Sequence, residues 1–199
     1  MRKRIRELNS REYEHPFDKT TLEKLEAIPV LPKIIKKLYE KSFERIDRLQ
    51  NTGSYLKINN DNLQKVYSLY SEACAILDIE KIPDLFISFD PRINGYTSGV
   101  EKPFIVLTSG AIDLLDDDEL MFLIGHELGH IKARHVLYTV MAQNFSLVAN
   151  LLGNLTFGIG GVAATGVEIA LLHWYRMSEL SCDRAGLLTC QSKKAAINF

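Results

Sequence analysis

The stretch "LIGHELGHIKARH", residues 123–135, constrains the fold more than any other part of this 199-residue chain. His126 and His130 are four residues apart, and each helical residue turns by about 100°, so a helix places both imidazoles on one face. Glu127 then projects beside the pair. With five histidines in the chain, the H-E-x-x-H pattern is expected only about 0.009 times by chance. The pattern therefore predicts a helix whose polar face converges on one ion.

The residue types in this pattern are those of a catalytic zinc site. Neutral imidazoles bind zinc, and a carboxylate beside its open position can take a proton from a bound water. The preceding "LMFLI" predicts a largely buried helix, in which these polar side chains would be costly without partners. We therefore predict one Zn²⁺ per chain, with His126 and His130 as ligands and Glu127 as general base.

A catalytic zinc also needs a third protein ligand. The candidates downstream are His135, His173, Glu179 and Asp183. His135 fails on spacing, because the pattern with a third histidine needs glycine at 133 and histidine at 136. Glu179 and Asp183 are one helical turn apart, so they can supply a ligand and an acceptor for the outer N–H of a bound imidazole. The alternative is a solvated helical face with Arg176 and Arg184 as partners.

With these motifs the chain resembles the HtpX-like and CAAX prenyl protease family of gluzincin zinc metallopeptidases. The resemblance rests on "FIVLTSGAIDLLDDDELMFLIGHELGHIKARH" and "WYRMSELSCDRAG" and covers about residues 61–188. Separately, the N-terminal part with "LEKLEAIPVL" resembles the leader of soluble bacterial members. The family resemblance implies that His126, His130 and Glu179 are the zinc ligands. It further implies that Glu127 is the general base and that Asp183 orients a bound imidazole. From "INGYTSG" it also implies that Asn94 lies near the substrate.

The remaining pattern predicts an α+β, mostly helical fold of the gluzincin type. The β-prone runs "LFISF" and "FIVLT", with the turn residues of "DPRINGYTSG" between them, predict a small antiparallel sheet. Helices are predicted within residues 21–48 and over 62–77, and Asp116 begins the motif helix. The second of these helices has Asp61 as N-cap and an apolar face formed by Leu63, Val66, Leu69, Tyr70, Ala73 and Leu77. We divide the chain into an N-terminal helical segment, 1–60, and a zinc metallopeptidase domain, 61–199.

Residues 136–167 carry no charge, which raises the question of a membrane segment. Polar side chains interrupt the run at helical spacing, at Gln143, Ser146, Asn150 and Asn154. This stripe favours a helical hairpin, with "GIGG" as its turn, that leads to the helix of the third ligand. The hairpin packs within the domain or lies on a membrane surface, and a spanning segment is the less favoured alternative.

Composition narrows the partners and the compartment. The chain has 24 basic and 25 acidic residues, so no basic field favours nucleic acid. Its three cysteines lack CxxC spacing, and its start lacks the apolar core of a secretory signal, so we expect reduced thiols in the cytoplasm. Membrane-surface association is not favoured. Relatives usually continue beyond "AAINF", so either the chain is naturally short or it ends early.

These observations predict a zinc metalloendopeptidase that acts on peptides or proteins. An extended peptide is expected to pair with the strand "FIVLT" beside the metal. His173, Tyr175, Arg176 and Arg184 are the candidates for stabilising the oxyanion. The alternative is a latent or non-hydrolytic zinc-binding scaffold that docks partners, at a membrane surface or elsewhere. Glu127 argues against that alternative, because a structural zinc site needs ligands but no base.

Overall fold

The computed structural model describes residues 2–27, 54–143 and 161–199. After a short 3-10 turn at Ser10–Glu12, its elements in chain order are α1 (Pro16–Glu26), β1 (Leu56–Ile58), α2 (Gln64–Ile76), β2 (Asp84–Ser88), β3 (Gly95–Ser98), β4 (Phe104–Thr108), α3 (Ser109–Leu114), α4 (Asp117–Lys132), α5 (Val136–Gln143), α6 (Gly161–Cys190) and α7 (Lys193–Asn198). The prediction of a mostly helical α+β fold is confirmed. The helices predicted within 21–48 fall largely on residues 28–53, outside the described residues.

The sheet is mixed, so the prediction of an antiparallel sheet is wrong. Its strand order is β1-β2-β4-β3, in which β2 and β4 are parallel while β1 and β3 are antiparallel to their neighbours. The connection 89–103 is long enough to serve as the crossover that parallel strands need. Its "GYTS" portion, which we interpreted as part of a turn, forms β3. As a result β4, the "FIVLT" strand, lies between two strands and is buried along its whole length.

Helix α2 packs its predicted apolar face into the core, but its start differs from the prediction. The buried residues of the helix include Val66, Leu69, Tyr70 and Ala73. Leu63 is exposed instead, with a left-handed φ of 43°, and the helix begins after it without a side-chain cap. Asp61 is not the cap because it belongs to a local turn, in which its N–H donates to Asn59 Oδ1 over 2.8 Å.

Helix α4, which carries the HExxH motif, begins as the sequence predicts. The Asp116 side chain accepts hydrogen bonds from the N–H groups of Asp118 and Glu119, and the Glu119 side chain accepts one from the N–H of Asp116. This reciprocal pair satisfies the free donors of the first turn and suits the helix dipole. The following "LMFLI" is buried throughout. The capped N-terminus of the helix is therefore exposed to solvent, and the helix is already buried before it reaches the first histidine.

Helices α4 and α6 cross closely because glycines line their contact. Gly125 and Gly129 are four residues apart and therefore share one face of α4. A β-carbon at Gly125 would lie 2.3 Å from Thr189 Oγ1, and one at Gly129 would lie 2.9 Å from the Ala185 β-carbon. Both distances are shorter than van der Waals contact. The missing side chains thus allow α6 to approach the HExxH helix closely, and α6 carries Glu179.

The predicted hairpin is described in part. Helices α5 and α6 share a second apolar cluster with α1, formed by Leu25, Tyr138, Met141, Leu171 and Trp174. Residues 144–160, with most of the predicted polar stripe and of "GIGG", lie outside the described residues. Among the helices that the structure describes, none combines the length and the apolar character needed to cross a membrane.

Candidate metal centre

The three predicted ligands converge, although they come from different helices. His126 and His130 project from α4, and Glu179 projects from α6 across the glycine contact. Glu179 Oε2 lies 3.2 Å from His126 Nε2, and Glu179 Oε1 lies 3.8 Å from His130 Nε2. Tetrahedral zinc with ligands at about 2.1 Å separates its donor atoms by about 3.4 Å. The spacing and chemistry of this donor set therefore fit a zinc ion.

Asp183 lies one turn beyond Glu179 and contacts the other nitrogen of the first histidine. Its Oδ1 is 3.0 Å from His126 Nδ1, so the carboxylate orients the ring with Nε2 towards Glu179. In the alternative interpretation, Arg184 would pair with these carboxylates, but the contacts of Arg184 are different. Arg184 donates instead to the backbone oxygens of Tyr13 and Glu14, over 3.1 and 3.2 Å.

The charges around the two imidazoles are predominantly negative. Burial lowers the pKa of His126, but its hydrogen bonds to Asp183 and Glu179 outweigh burial and raise that pKa well above the usual value. Burial and the neighbouring His126 hold the pKa of His130 well below its usual value. Burial raises the pKa of Glu179, yet the adjacent imidazoles lower it overall. The carboxylates of Glu179 and Asp183 beside these imidazoles form a favourable environment for a divalent cation.

Glu127 is held beside this centre by a strand that sequence reasoning did not identify. Thr97 Oγ1, on β3, lies 2.8 Å from Glu127 Oε2 and 3.0 Å from the Glu127 backbone oxygen. Burial raises the pKa of the Glu127 carboxyl, and neither the charge of His126 nor the Thr97 hydroxyl cancels that effect. Thr97 was missed because "GYTSG" carries turn residues and the strand that contains it, β3, is only four residues long. Its position shows that β3 lies directly alongside α4.

A cleft of about 290 Å³ opens over these residues. Asn94, Thr97 and Tyr175 line it together with the predicted ligands and Glu127. Asn94 is fixed by its backbone, which exchanges hydrogen bonds of about 3 Å with Thr108, while its side chain is exposed. The expected pairing of substrate with "FIVLT" is wrong, because β4 is enclosed by β2 and β3. A larger hollow of about 920 Å³ by the N-terminal segment contains none of the predicted site residues.

A second group of potential ligands lies behind the first. His130, His135 and Cys182 bring their donor atoms within 4.8 Å of one another, and all three residues are buried. His135 Nε2 is 3.1 Å from the carboxylate of Asp18, which places a negative charge beside it. Burial raises the pKa of the Cys182 thiol well above its usual value, which opposes the thiolate form that binds metals. This group therefore fits a buried support for the centre better than a second metal site. The three cysteines are free, as predicted, and all three are buried.

Comparison with known proteins agrees with the geometry. Residues 60–198 match Peptidase family M48. The chain is 36% identical to the plastoglobule-localized metallopeptidase 48 of Arabidopsis thaliana over 98% of its own length and 56% of that protein. It is 29% identical to a protease HtpX homolog of Helicobacter pylori over 57% of its own length and 38% of that protein. The chain thus spans about half the length, or less, of these relatives, and no solved structure matches it. On the extent of these matches, the chain belongs to peptidase family M48.

Proposed function

We propose that this chain is a zinc-dependent metalloendopeptidase that hydrolyses peptide bonds with Glu127 as general base. The single observation that carries the proposal is the convergence of His126, His130 and Glu179 from two helices, with Glu127 buried beside them. Structural zinc sites close their coordination with protein ligands, whereas three ligands leave one position for water. An adjacent carboxylate is of use only when that position is reactive.

The proposed ligands would hold one zinc ion through Nε2 of His126, Nε2 of His130 and the Glu179 carboxylate. When bound there, zinc would polarise the scissile carbonyl and lower the pKa of an attacking water towards about 7. Asp183 keeps the His126 ring in the orientation that presents Nε2, since it contacts Nδ1 over 3.0 Å. The donor set thus supplies both the ligands and the support that a reactive site requires.

Glu127 would take the proton of the attacking water and pass it to the leaving amine. Its raised pKa suits this exchange, because a general base works best with a pKa near the working pH. The Thr97 hydroxyl at 2.8 Å restrains one carboxylate oxygen, which leaves the other for the water. Both steps use one carboxylate that is only 6% exposed, so competing solvent is largely excluded.

The substrate would be a peptide or protein segment lying in the cleft between β3 and α6. Asn94 and Thr97, at and next to β3, and Tyr175 and Glu179, on α6, all line that cleft. Asn94 has an exposed side-chain amide that can hydrogen-bond to a peptide backbone. Tyr175 is the oxyanion candidate that lines the cleft, whereas His173 packs against Phe17 on the outer surface.

The test measures zinc content and cleavage of a quenched peptide by the wild type, Glu127→Gln and Glu179→Ala. We expect Glu127→Gln to retain zinc and to lose about 10²–10⁴-fold of activity, which is the range for loss of a general base. Glu179→Ala should lose both zinc and activity. Glu80→Gln, an exposed substitution outside the cleft, controls for the change in charge.

Each outcome bears on a different part of the proposal. A wild type that binds no zinc would refute the metal site, and a Glu127→Gln variant that cleaves like wild type would refute the role of Glu127. If Glu179→Ala binds zinc normally, the third ligand is misassigned. A wild type that binds zinc but cleaves no peptide or protein would instead favour the non-hydrolytic scaffold.

A further inference from the structure

We propose that Asp18, on helix α1, is a positioning residue for the metal centre and that the N-terminal segment 2–27 is part of the catalytic unit. The inference rests on the proposed zinc site. The family match begins at residue 60, so it assigns nothing to this segment. The proposal joins three observations: a fully buried carboxylate, its donors on α6, and its contact with a histidine that packs against His130.

The burial of Asp18 requires an explanation beyond helix docking. The side chain is 0% exposed, although α1 is an amphipathic surface helix whose Leu25 already packs in an apolar cluster. A buried carboxylate costs stability unless it is fully paired, and an apolar residue of similar size is often as stabilising or more so. A carboxylate at this position therefore serves a purpose that an apolar side chain would not.

Two donors on α6 satisfy the carboxylate. Trp174 Nε1 donates to Asp18 Oδ1 over 2.8 Å, and Ser181 Oγ donates to Asp18 Oδ2 over 2.5 Å. These donors are seven residues apart, or about two helical turns, so they lie on one face of α6. Glu179 lies between them in the sequence. Asp18 therefore restrains the turn of α6 that carries the proposed third ligand.

The third contact reaches the end of the HExxH helix. His135 Nε2 lies 3.1 Å from Asp18 Oδ2, and both side chains are completely buried. His135 also donates its backbone N–H to the His130 oxygen over 2.9 Å. Its ring stands edge-on to the His130 ring at a centroid distance of 5.5 Å. Asp18 thus holds the imidazole that supports the second proposed ligand from behind.

Taken together, one carboxylate connects the end of α4 to the middle of α6. These two helices supply the three proposed ligands, and the gap between them determines whether the donor atoms meet. Without Asp18, the buried indole N–H would lose its acceptor and His135 would lose the carboxylate that packs beside its Nε2. We therefore expect the loss of Asp18 to disturb metal binding as well as the docking of α1.

The test compares metal binding by the full chain with that of Asp18→Asn, which keeps the side-chain shape but removes the charge and one acceptor. Zinc affinity is measured by competition with a chromophoric chelator, and ligand geometry by the visible spectrum of the cobalt-substituted protein. The matched control is Leu25→Ala, which weakens α1 docking at a buried position of the same apolar cluster but removes no hydrogen bond to Asp18.

We expect Asp18→Asn to lower zinc affinity by about 10-fold or more and to shift the cobalt bands, as for other partners that orient metal ligands. Leu25→Ala should lower the melting temperature but leave zinc affinity within about twofold of wild type, since its contacts are apolar. If Asp18→Asn does not fold, Trp174→Phe removes one hydrogen bond from the same carboxylate and should still lower zinc affinity.

Three outcomes separate this inference from the function on which it rests. Failure of the wild type to bind zinc refutes the proposed function before any variant is compared. The positioning role is refuted if Asp18→Asn has normal zinc affinity and an unchanged cobalt spectrum. If Asp18→Asn does not fold, the same result in Trp174→Phe refutes it. Equal losses of zinc affinity in Asp18→Asn and Leu25→Ala also refute it, because general weakening of the fold would then explain both.

Discussion

Replacement of Gly125 by alanine tests whether the close contact of α4 with α6 determines both stability and metal binding. The new β-carbon would lie 2.3 Å from Thr189 Oγ1, 2.5 Å from the Thr189 β-carbon and 3.0 Å from the Gly186 α-carbon. Ordinary carbon contacts are about 3.5–4.0 Å, so the helices must separate by roughly 1 Å. This movement would carry His126, the next residue, away from Glu179.

The expected magnitude combines two opposing effects. Overpacking of a tight core costs about 1–3 kcal/mol or more, while alanine in place of glycine within a helix stabilises by about 0.5–1 kcal/mol. We therefore expect a net loss of about 1–2 kcal/mol in the free energy of unfolding, which lowers the melting temperature of a chain this long by roughly 2–8 °C. Zinc affinity should fall as well.

The assay is thermal and urea unfolding of metal-free protein, followed by zinc titration. Gly129→Ala provides a graded comparison, because its nearest contact is 2.9 Å, from the Ala185 β-carbon, and it should be milder. Gly129→Ala combined with Ala185→Gly moves one methyl group across the contact and should recover part of the loss. If Gly125→Ala is as stable as wild type and binds zinc equally well, the contact does not control the centre.

Three further predictions concern the base, the buried carboxylate and the helix cap. Thr97→Val should lower kcat by up to about 10-fold through loss of one hydrogen bond to Glu127, with zinc affinity unchanged. Thr97→Ser should retain activity, and equal activities in wild type, Thr97→Val and Thr97→Ser would contradict this role. Burial raises the pKa of Asp18, but its contacts with His135, Ser181 and Trp174 outweigh burial, so folding lowers that pKa. The stabilisation that Asp18 provides is therefore present above the ordinary pKa of 3.8 and is lost as the pH falls through the lower folded value. The difference in unfolding free energy between wild type and Asp18→Asn should therefore shrink below pH 3.8, and a constant difference would contradict the linkage. Asp116→Ala should cost about 0.5–2 kcal/mol in urea unfolding by removing the cap of α4, whereas an unchanged midpoint would show that the cap is dispensable.

Local patterns predicted those features that depend on neighbours in the chain. The cap of α4 follows from "DDDE", because an N-cap carboxylate acts on the next three residues. The pairing of His126 with His130 follows from the pitch of a helix. The burial of α2 on one side also follows from its periodicity, although Leu63 falls outside the helix because the preceding asparagine turn determines its start.

Pairing between distant segments was harder to predict. The mixed sheet was missed because β3 is four residues long and its glycine and polar residues resemble a turn. Which strands pair depends on long-range contacts that no window of sequence contains. For the same reason Thr97 gave no signal of its own, since its contact with Glu127 requires β3 to lie against α4.

By itself the sequence determined the chemistry available to this protein: two imidazoles on one helical face, a carboxylate between them, and a later pair of carboxylates one turn apart. Only the tertiary structure decided which of these groups meet. Glu179 and Asp183 reach His126 because two glycines allow α6 to approach α4. His135 faces Asp18 instead, because the chain turns at the end of α4 and directs its ring into the interior. Helical spacing acts over a few residues, whereas the distance between two helices depends on the side chains packed between them.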